Sequence, residues 1–183
     1  AERLASDGIG VDVITGGFPC QDISVSGNQA GIQDGTRSGL WSECARLIGE
    51  LRPKYAIFEN VTNLLNGERG AWFKRVLWDI SQIGYDAEWH CIPASELGAH
   101  HHRDRIWIVA YPNSAQCQRG SLSFGVHKEN ANTVGASGWQ VEPSLGRVAN
   151  GIPNQSHRLK CLDNAVVPPI PELIGRAINE ANL

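Results

Sequence analysis

The sequence predicts an α/β fold, a sheet layered with helices. Three observations lead there. Short β-branched and aromatic runs alternate with amphipathic helical stretches along the first two-thirds of the chain, the texture of crossover units feeding a mostly parallel sheet. At 183 residues, 42% hydrophobic and 19% charged, the chain has enough apolar side chain to bury one core. No apolar run approaches the roughly 18–20 residues of a membrane span, and no signal peptide opens the chain.

Residues 11–15 form a β-branched run that stops at Gly16-Gly17. Residues 24–39 carry four glycines and almost no large apolar side chain, so they read as a long loop of the kind usually kept for function. Ser38 is placed to cap a helix whose face is Leu40, Cys44, Leu47, Ile48 and Leu51, ended by Pro53. Residues 55–58 are the next strand. A second helix points Phe73, Val76, Leu77, Ile80 and Ile83 inward, with Gly84 at its C′ position. Tyr85, Ala87, Trp89 and Cys91 alternate as a half-buried strand would, which puts Cys91 in the core beside Cys44. Residues 106–110 are a compact apolar strand. From Pro112 to residue 157 the chain is rich in Ser, Gly, Asn and Gln without a period, as an irregular insertion is. Ile170, Leu173, Ile174, Ala177, Ile178 and Ala181 define a last helix, with Pro169 and Pro171 near its start.

The net charge is −3 and the sequence pI about 6.1, so bulk charge does not drive binding to nucleic acid, although a local basic cleft remains open. Five cysteines (Cys20, Cys44, Cys91, Cys117, Cys161) include no CxxC pair, which excludes a zinc ribbon and speaks against a disulfide framework. These features describe a soluble cytoplasmic protein.

In open α/β sheets the reactive groups gather outside the carboxyl ends of the strands. Cys20 follows the first strand closely and Glu59 the second immediately, so neighbouring strands would send a thiol and a carboxyl into one crevice. Pro19 fixes its own φ and extends Phe18, which holds Cys20 in place. A lone cysteine is more often a small buried hydrophobe than a nucleophile. The wider pattern decides between them. GGFPCQDIS at 16–24, Glu59-Asn60-Val61, and His102-Arg103-Asp104-Arg105 leading into a strand, with a final RLKCLDNAVVP at 158–168, resemble the DNA (cytosine-5)-methyltransferase family of prokaryotic or phage type. The resemblance covers residues 10–111 and about 147–180 and rests on three motifs in the family's order.

The resemblance implies a partial Rossmann-like methyltransferase sheet with helices on both faces and a short target-recognition insertion. It divides the chain into a catalytic core at 1–111, the insertion at 112–146 and a returning C-terminal segment at 147–183. Cys20 is then the thiolate that adds to carbon 6 of cytosine, which makes carbon 5 nucleophilic enough to take a methyl group from S-adenosyl-L-methionine. Glu59 donates a proton or hydrogen bond at N3. Arg105 meets the base O2, Arg103 supports the site, and both cations help ionise Cys20. Carbon 5 is out of reach in a stacked duplex, so the cytosine of double-stranded DNA is flipped out, and the 24–39 loop closes over it. Gln21, Ser24, Ser26 and Arg37 are the implied DNA contacts, Pro19 and Asn164 the implied cofactor contacts, with Arg158 and Lys160 extending the basic cleft. Within the insertion, Gln116, Gln118, Arg119, His127, Lys128, Asn130 and Asn132 can reach base edges or phosphates, but a solvated loop has the same composition.

His101 stands where the family has glutamine, which unsettles the bonds around the two arginines, and Asp163 stands where it has glycine. His100, His101 and His102 are adjacent in an extended segment and cannot all converge on one ion, so no metal is expected. The family's Phe-x-Gly-x-Gly turn does not precede Val11, so the expectation is an N-terminally incomplete enzyme whose first strand exposes apolar surface. A complementing N-terminal segment or chain is the partner this implies, with no membrane. Two readings stay open: the catalytic portion of a cytosine-5 methyltransferase, or a catalytically incompetent DNA-binding remnant or part of a split enzyme. A thiol hydrolase is a weaker third, since no histidine lies at another strand end beside an orienting carboxylate.

Overall fold

A computed structural model describes residues 2–19, 40–113 and 165–181. In chain order these form α1 (Glu2–Ser6), β1 (Val13–Gly17), α2 (Trp41–Leu51), β2 (Tyr55–Val61), α3 (Asn63–Asn66), α4 (Ala71–Gln82), β3 (Tyr85–Pro93), β4 (Asp104–Pro112) and α5 (Pro169–Ala181), with 3₁₀ turns at Gly67–Gly70 and Ala94–Leu97. They fall into two compact units, one holding 2–19, 40–92 and 104–113, the other 93–103 and 165–181.

The sheet runs β1-β2-β4-β3. β1 and β2 are parallel, Val13 beside Tyr55 through Gly17 beside Glu59, as expected of strands joined through a helix. β4 departs from the simple crossover pattern. It lies antiparallel to β2, with Ala56 opposite Ala110 and Val61 opposite Arg105, and separates β2 from β3. The link from β3 to β4 holds a single 3₁₀ turn and no α-helix, too little for a crossover, so β4 follows β3 as its neighbour.

In the first unit the core joins α2 and α4 to one face of the sheet through Trp41, Ile48, Phe58, Val76, Ile80, Ile106 and Ile108. Trp41 packs between Phe18, tilted to it, and Phe58, edge-on to it, each ring centroid 5.3 Å away, and its indole N–H donates to Asp79 at 3.0 Å. The inward stripe of α2 is Trp41, Ala45 and Ile48, rotated from the expected one, so that Leu40 is 50% exposed. Ser38 lies outside the described residues. The helix ends where Arg52 turns left-handed (φ 47°), one residue before Pro53, with its guanidinium over the Tyr85 ring. α4 buries Trp72 with the predicted Phe73, Val76 and Ile80, Leu77 and Ile83 pack partly buried against the core, and Gly84 is left-handed at φ 82° just past its end. Trp72 lies so close over the 3₁₀ turn that a Cβ on Gly67 would sit 1.7 Å from its ring. Only glycine fits there.

β3 corrects one expectation. Tyr85 and Ala87 reach the core, but Trp89 is 44% exposed at the rim, edge-on to Phe73, and Cys91 is exposed. The alternation is real, yet the helices cover only the first half of this strand, so Cys91 is not a core residue. β1 has a strand neighbour on one side only among the described residues, and Val13 is 45% exposed, as the sequence led us to expect of the first strand. In the second unit α5 packs Ile170, Ile174, Ala177 and Ile178 inward and meets the Ala94–Leu97 turn. Among the described residues no helix is long and apolar enough to cross a membrane.

Candidate functional site

The carboxyl ends of β1 and β2 lie side by side, with Gly17 and Glu59 in register. The Glu59 side chain therefore stands on the sheet face away from α2 and α4, since its neighbour Phe58 points into that core. Arg105 sits opposite Val61 and reaches Glu59 on the cross-strand diagonal, its Nε 2.9 Å from Oε1. Both side chains are about a fifth exposed (20% and 22%), enclosed yet open to an incoming group. A Cβ at Gly17 would fall 3.4 Å from Glu59 Oε2, so the carboxylate lies close beside the end of β1.

Asn60 points the other way and is 2% exposed. Its Nδ2 donates to the Phe18 carbonyl at 3.1 Å, and its Oδ1 accepts the Val61 N–H at 2.9 Å. Phe18 is buried against Trp41. The chain is thus held from both its backbone and its ring two residues before Cys20. Among the predicted site residues, the structure brings Glu59 and Arg105 together, with half-buried Pro19 following the anchored Phe18. Cys20, Gln21, Ser24, Ser26, Arg37 and Asn164 lie outside the described residues, as do the insertion side chains, Asp163, Arg158 and Lys160.

Arg103 belongs to the second unit. Its backbone is left-handed (φ 40°), and Nη2 donates to the Ala165 carbonyl at 2.6 Å. Two arginines two residues apart thus serve different segments, one the Glu59 carboxylate, the other the approach to α5. Within the same unit His102 Nδ1 lies 3.1 Å from Ser95 Oγ, and its carbonyl accepts the Ala94 N–H at 2.8 Å. Among the described residues no three His, Cys, Asp or Glu side chains gather as metal ligands. Burial, with the charge of Glu43, pushes the Cys44 thiol above its ordinary range; burial and the charge of Asp104 do the same for Cys91. Neither is set up as a thiolate.

Three neighbours of the site were not singled out from the sequence: Gly17, Asn60 and Trp107. Gly17 and Asn60 belong to motifs already noted, and the signal was their adjacency to Cys20 and Glu59. Trp107 stands directly opposite Glu59, 5% exposed, a placement that only the antiparallel β2–β4 register reveals.

The chain is 39% identical over 100 residues to the Type II methyltransferase M1.ScrFI of Lactococcus lactis subsp. cremoris, covering 55% of this chain and 25% of that protein. It is 31% identical over 154 residues to M.NgoMIV of Neisseria gonorrhoeae, covering 74% and 48% respectively. The solved structure of a putative DNA modification methyltransferase from an E. coli prophage aligns with 25% identity and TM-score 0.49, over 63% of this chain and 30% of that one. The chain thus spans a quarter to a half of the length of these curated relatives. The profile of the C-5 cytosine-specific DNA methylases matches residues 3–150, which take in β1 through β4 and the Glu59–Arg105 pair, and the chain belongs to that family.

Proposed function

We propose that this chain carries the base-side chemistry of a DNA (cytosine-5)-methyltransferase acting on double-stranded DNA. The observation that carries the reading is the Glu59–Arg105 pair at the end of β2, beside a backbone anchored by Asn60 two residues before Cys20. In this reading Cys20 adds as a thiolate to carbon 6 of a flipped-out cytosine. Electron density moves toward N3, where Glu59 supplies the proton or hydrogen bond. Arg105 turns part of its guanidinium from Glu59 to the base O2, so the ion pair is the resting partner of each group. Carbon 5 becomes the nucleophile, and loss of its proton with expulsion of the thiolate restores the ring once a methyl group is in place. Gln21, Ser24, Ser26 and Arg37 act on the DNA.

S-adenosylmethionine is the methyl donor this family generally uses. Among the described residues only Pro19 stands at an expected contact, and a proline has no N–H to offer. The described residues therefore do not by themselves form a holder for it, and no step above is routed through it. A complementing segment or chain that pairs with the side of β1 that has no strand neighbour among the described residues belongs to the proposal. The exposed Val13 and Ile9, at 45% and 53%, support such a partner.

The test is covalent capture. Duplex DNA containing 5-fluorocytosine, incubated with the chain and S-adenosylmethionine, is expected to give a denaturation-resistant adduct that Cys20→Ser abolishes. An adduct that survives in Cys20→Ser removes Cys20 from the mechanism. DNA binding without any adduct, even with a complementing segment supplied, leaves a DNA-binding remnant as the better reading.

A further inference from the structure

We propose that Trp107 is a substrate-binding residue, its indole N–H kept for an acceptor oxygen on the nucleotide that enters the site. The proposal rests on the function proposed above and extends it to a group that function does not use. Trp107 is 5% exposed, and its Nε1 is buried with no hydrogen-bond partner among the described residues. A buried N–H without a partner costs stability, and folded proteins pair nearly all of them. The buried indole of Trp41 is so paired, donating to Asp79 at 3.0 Å, whereas the N–H of Trp72 shares with Trp107 the lack of a partner among the described residues.

The place of the donor gives it a use. Trp107 is directly opposite Glu59 in the β2–β4 ladder, and directly opposed residues share a sheet face with Cα atoms about 4.5–5.5 Å apart. Two residues along β4 on that face is Arg105, whose guanidinium is committed to Glu59 Oε1. The next residue on that face of β4, Val109, and the diagonal neighbour Ile57 have no side-chain acceptor to offer. Hydrogen-bond donors placed where oxygen gathers negative charge during addition to a ring are worth most in an enclosed site. The acceptor is an oxygen of the flipped nucleotide, either the pyrimidine carbonyl or a flanking phosphate.

The experiment measures affinity by fluorescence anisotropy for three labelled duplexes: fully paired, with one extrahelical cytosine, and with an extrahelical abasic nucleotide. Trp107→Phe keeps an aromatic ring and removes the N–H. Trp72→Phe is the matched control, because Trp72 Nε1 is also buried without a partner but belongs to the core on the helix side of the sheet. Trp107→Phe is expected to weaken binding of the extrahelical-cytosine duplex about five-fold, the effect of one lost hydrogen bond, while its affinity for the paired duplex holds. A loss confined to cytosine assigns the oxygen to the base; a loss shared with the abasic nucleotide assigns it to phosphate. An unchanged preference in Trp107→Phe, or an equal loss in Trp72→Phe, overturns the inference alone. A wild-type chain with no preference for extrahelical cytosine overturns the inference together with the base-flipping reading beneath it. Thermal unfolding of each variant verifies that binding is measured on folded protein.

Discussion

β4 serves two carboxylates, and it serves them differently at its two ends. Near its start, Arg105 gives Glu59 a full cation at 2.9 Å. Near its end, Tyr111 gives Glu88 on β3 a neutral phenol, Oη to Oε1 at 2.7 Å. A guanidinium with five N–H groups can hold one acceptor and still reach another, whereas a phenol has one proton to give. The first arrangement can trade partners; the second is a fastening. The surroundings agree. Glu59 lies beside the end of β1 with a glycine backbone next to it, and Tyr111 is 6% exposed inside the fold. Carboxylates of similar partial burial thus differ in the donor each is given, a cation able to share its N–H groups for Glu59 and a single phenol proton for Glu88.

The largest expected effect breaks that comparison at Glu59. Glu59→Gln keeps the shape and a hydrogen bond to Arg105 but removes the acid, so adduct formation should fall about 10²–10⁴-fold with little change in thermal midpoint. Glu88→Gln should leave the adduct rate alone. Single-turnover rates for both variants decide the matter, and comparable losses in the two would erase the distinction.

Asn60→Ala comes next. It strips the Phe18 carbonyl and the Val61 N–H of a partner inside the protein, a cost of about 1–3 kcal/mol in urea unfolding. It also releases the strand end that leads to Cys20, so adduct formation should slow by more than the folded fraction explains. A rate that merely tracks the folded fraction would reduce Asn60 to a structural residue.

Much of this was legible in the sequence, and the exceptions have physical causes. The helices at 41–51, 71–82 and 169–181 declared themselves by apolar period and by stops at Pro53 and Gly84. Glu59 is expected just past a strand because a charged residue closes an apolar run, but β2 runs on to Val61 and holds Glu59 within it, since pairing with β4 continues through Asn60 and Val61. The direction of β4 could not be read, because run and period are the same for parallel and antiparallel strands, and only the short link from β3 hints at it. Trp107 stayed hidden for that reason: its neighbour Glu59 is 48 residues away in sequence and becomes a neighbour through register alone. Cys91 misled because alternation reports which residues share a face, not how far the helices extend over it.

A smaller effect sharpens the picture at Gly17. An added methyl at 3.4 Å from Glu59 Oε2 is near ordinary contact, so Gly17→Ala should fold with a stability within about 1 kcal/mol of the parent. The methyl nonetheless fills the space beside the carboxylate proposed to meet the base, and small misplacements of a reacting group are costly in rate. An adduct rate about ten-fold lower at unchanged stability is expected. An unchanged rate would show that Glu59 needs no clearance on its β1 side.

The smallest effect belongs to the fastening end and is read through pH. Burial, then the hydrogen bond to Glu88 and the charges of Glu88 and Asp86, raise the Tyr111 phenol far above its ordinary value. A folded-state pKa above the unfolded one means that the neutral phenol is favoured by folding. Its contribution is complete below about pH 10, the unfolded value, and is lost progressively as pH rises beyond it. Tyr111→Phe should cost about 1 kcal/mol at pH 7, the worth of one hydrogen bond, and should flatten the alkaline decline. Tyr85, raised chiefly by burial and opposed by Arg52, contributes to the same limb in both proteins, so the difference between the curves is the diagnostic quantity. Urea midpoints at pH 7, 9 and 10.5 measure it. Parallel curves would mean that folding does not raise the Tyr111 phenol, and the two ends of β4 would then differ in charge alone.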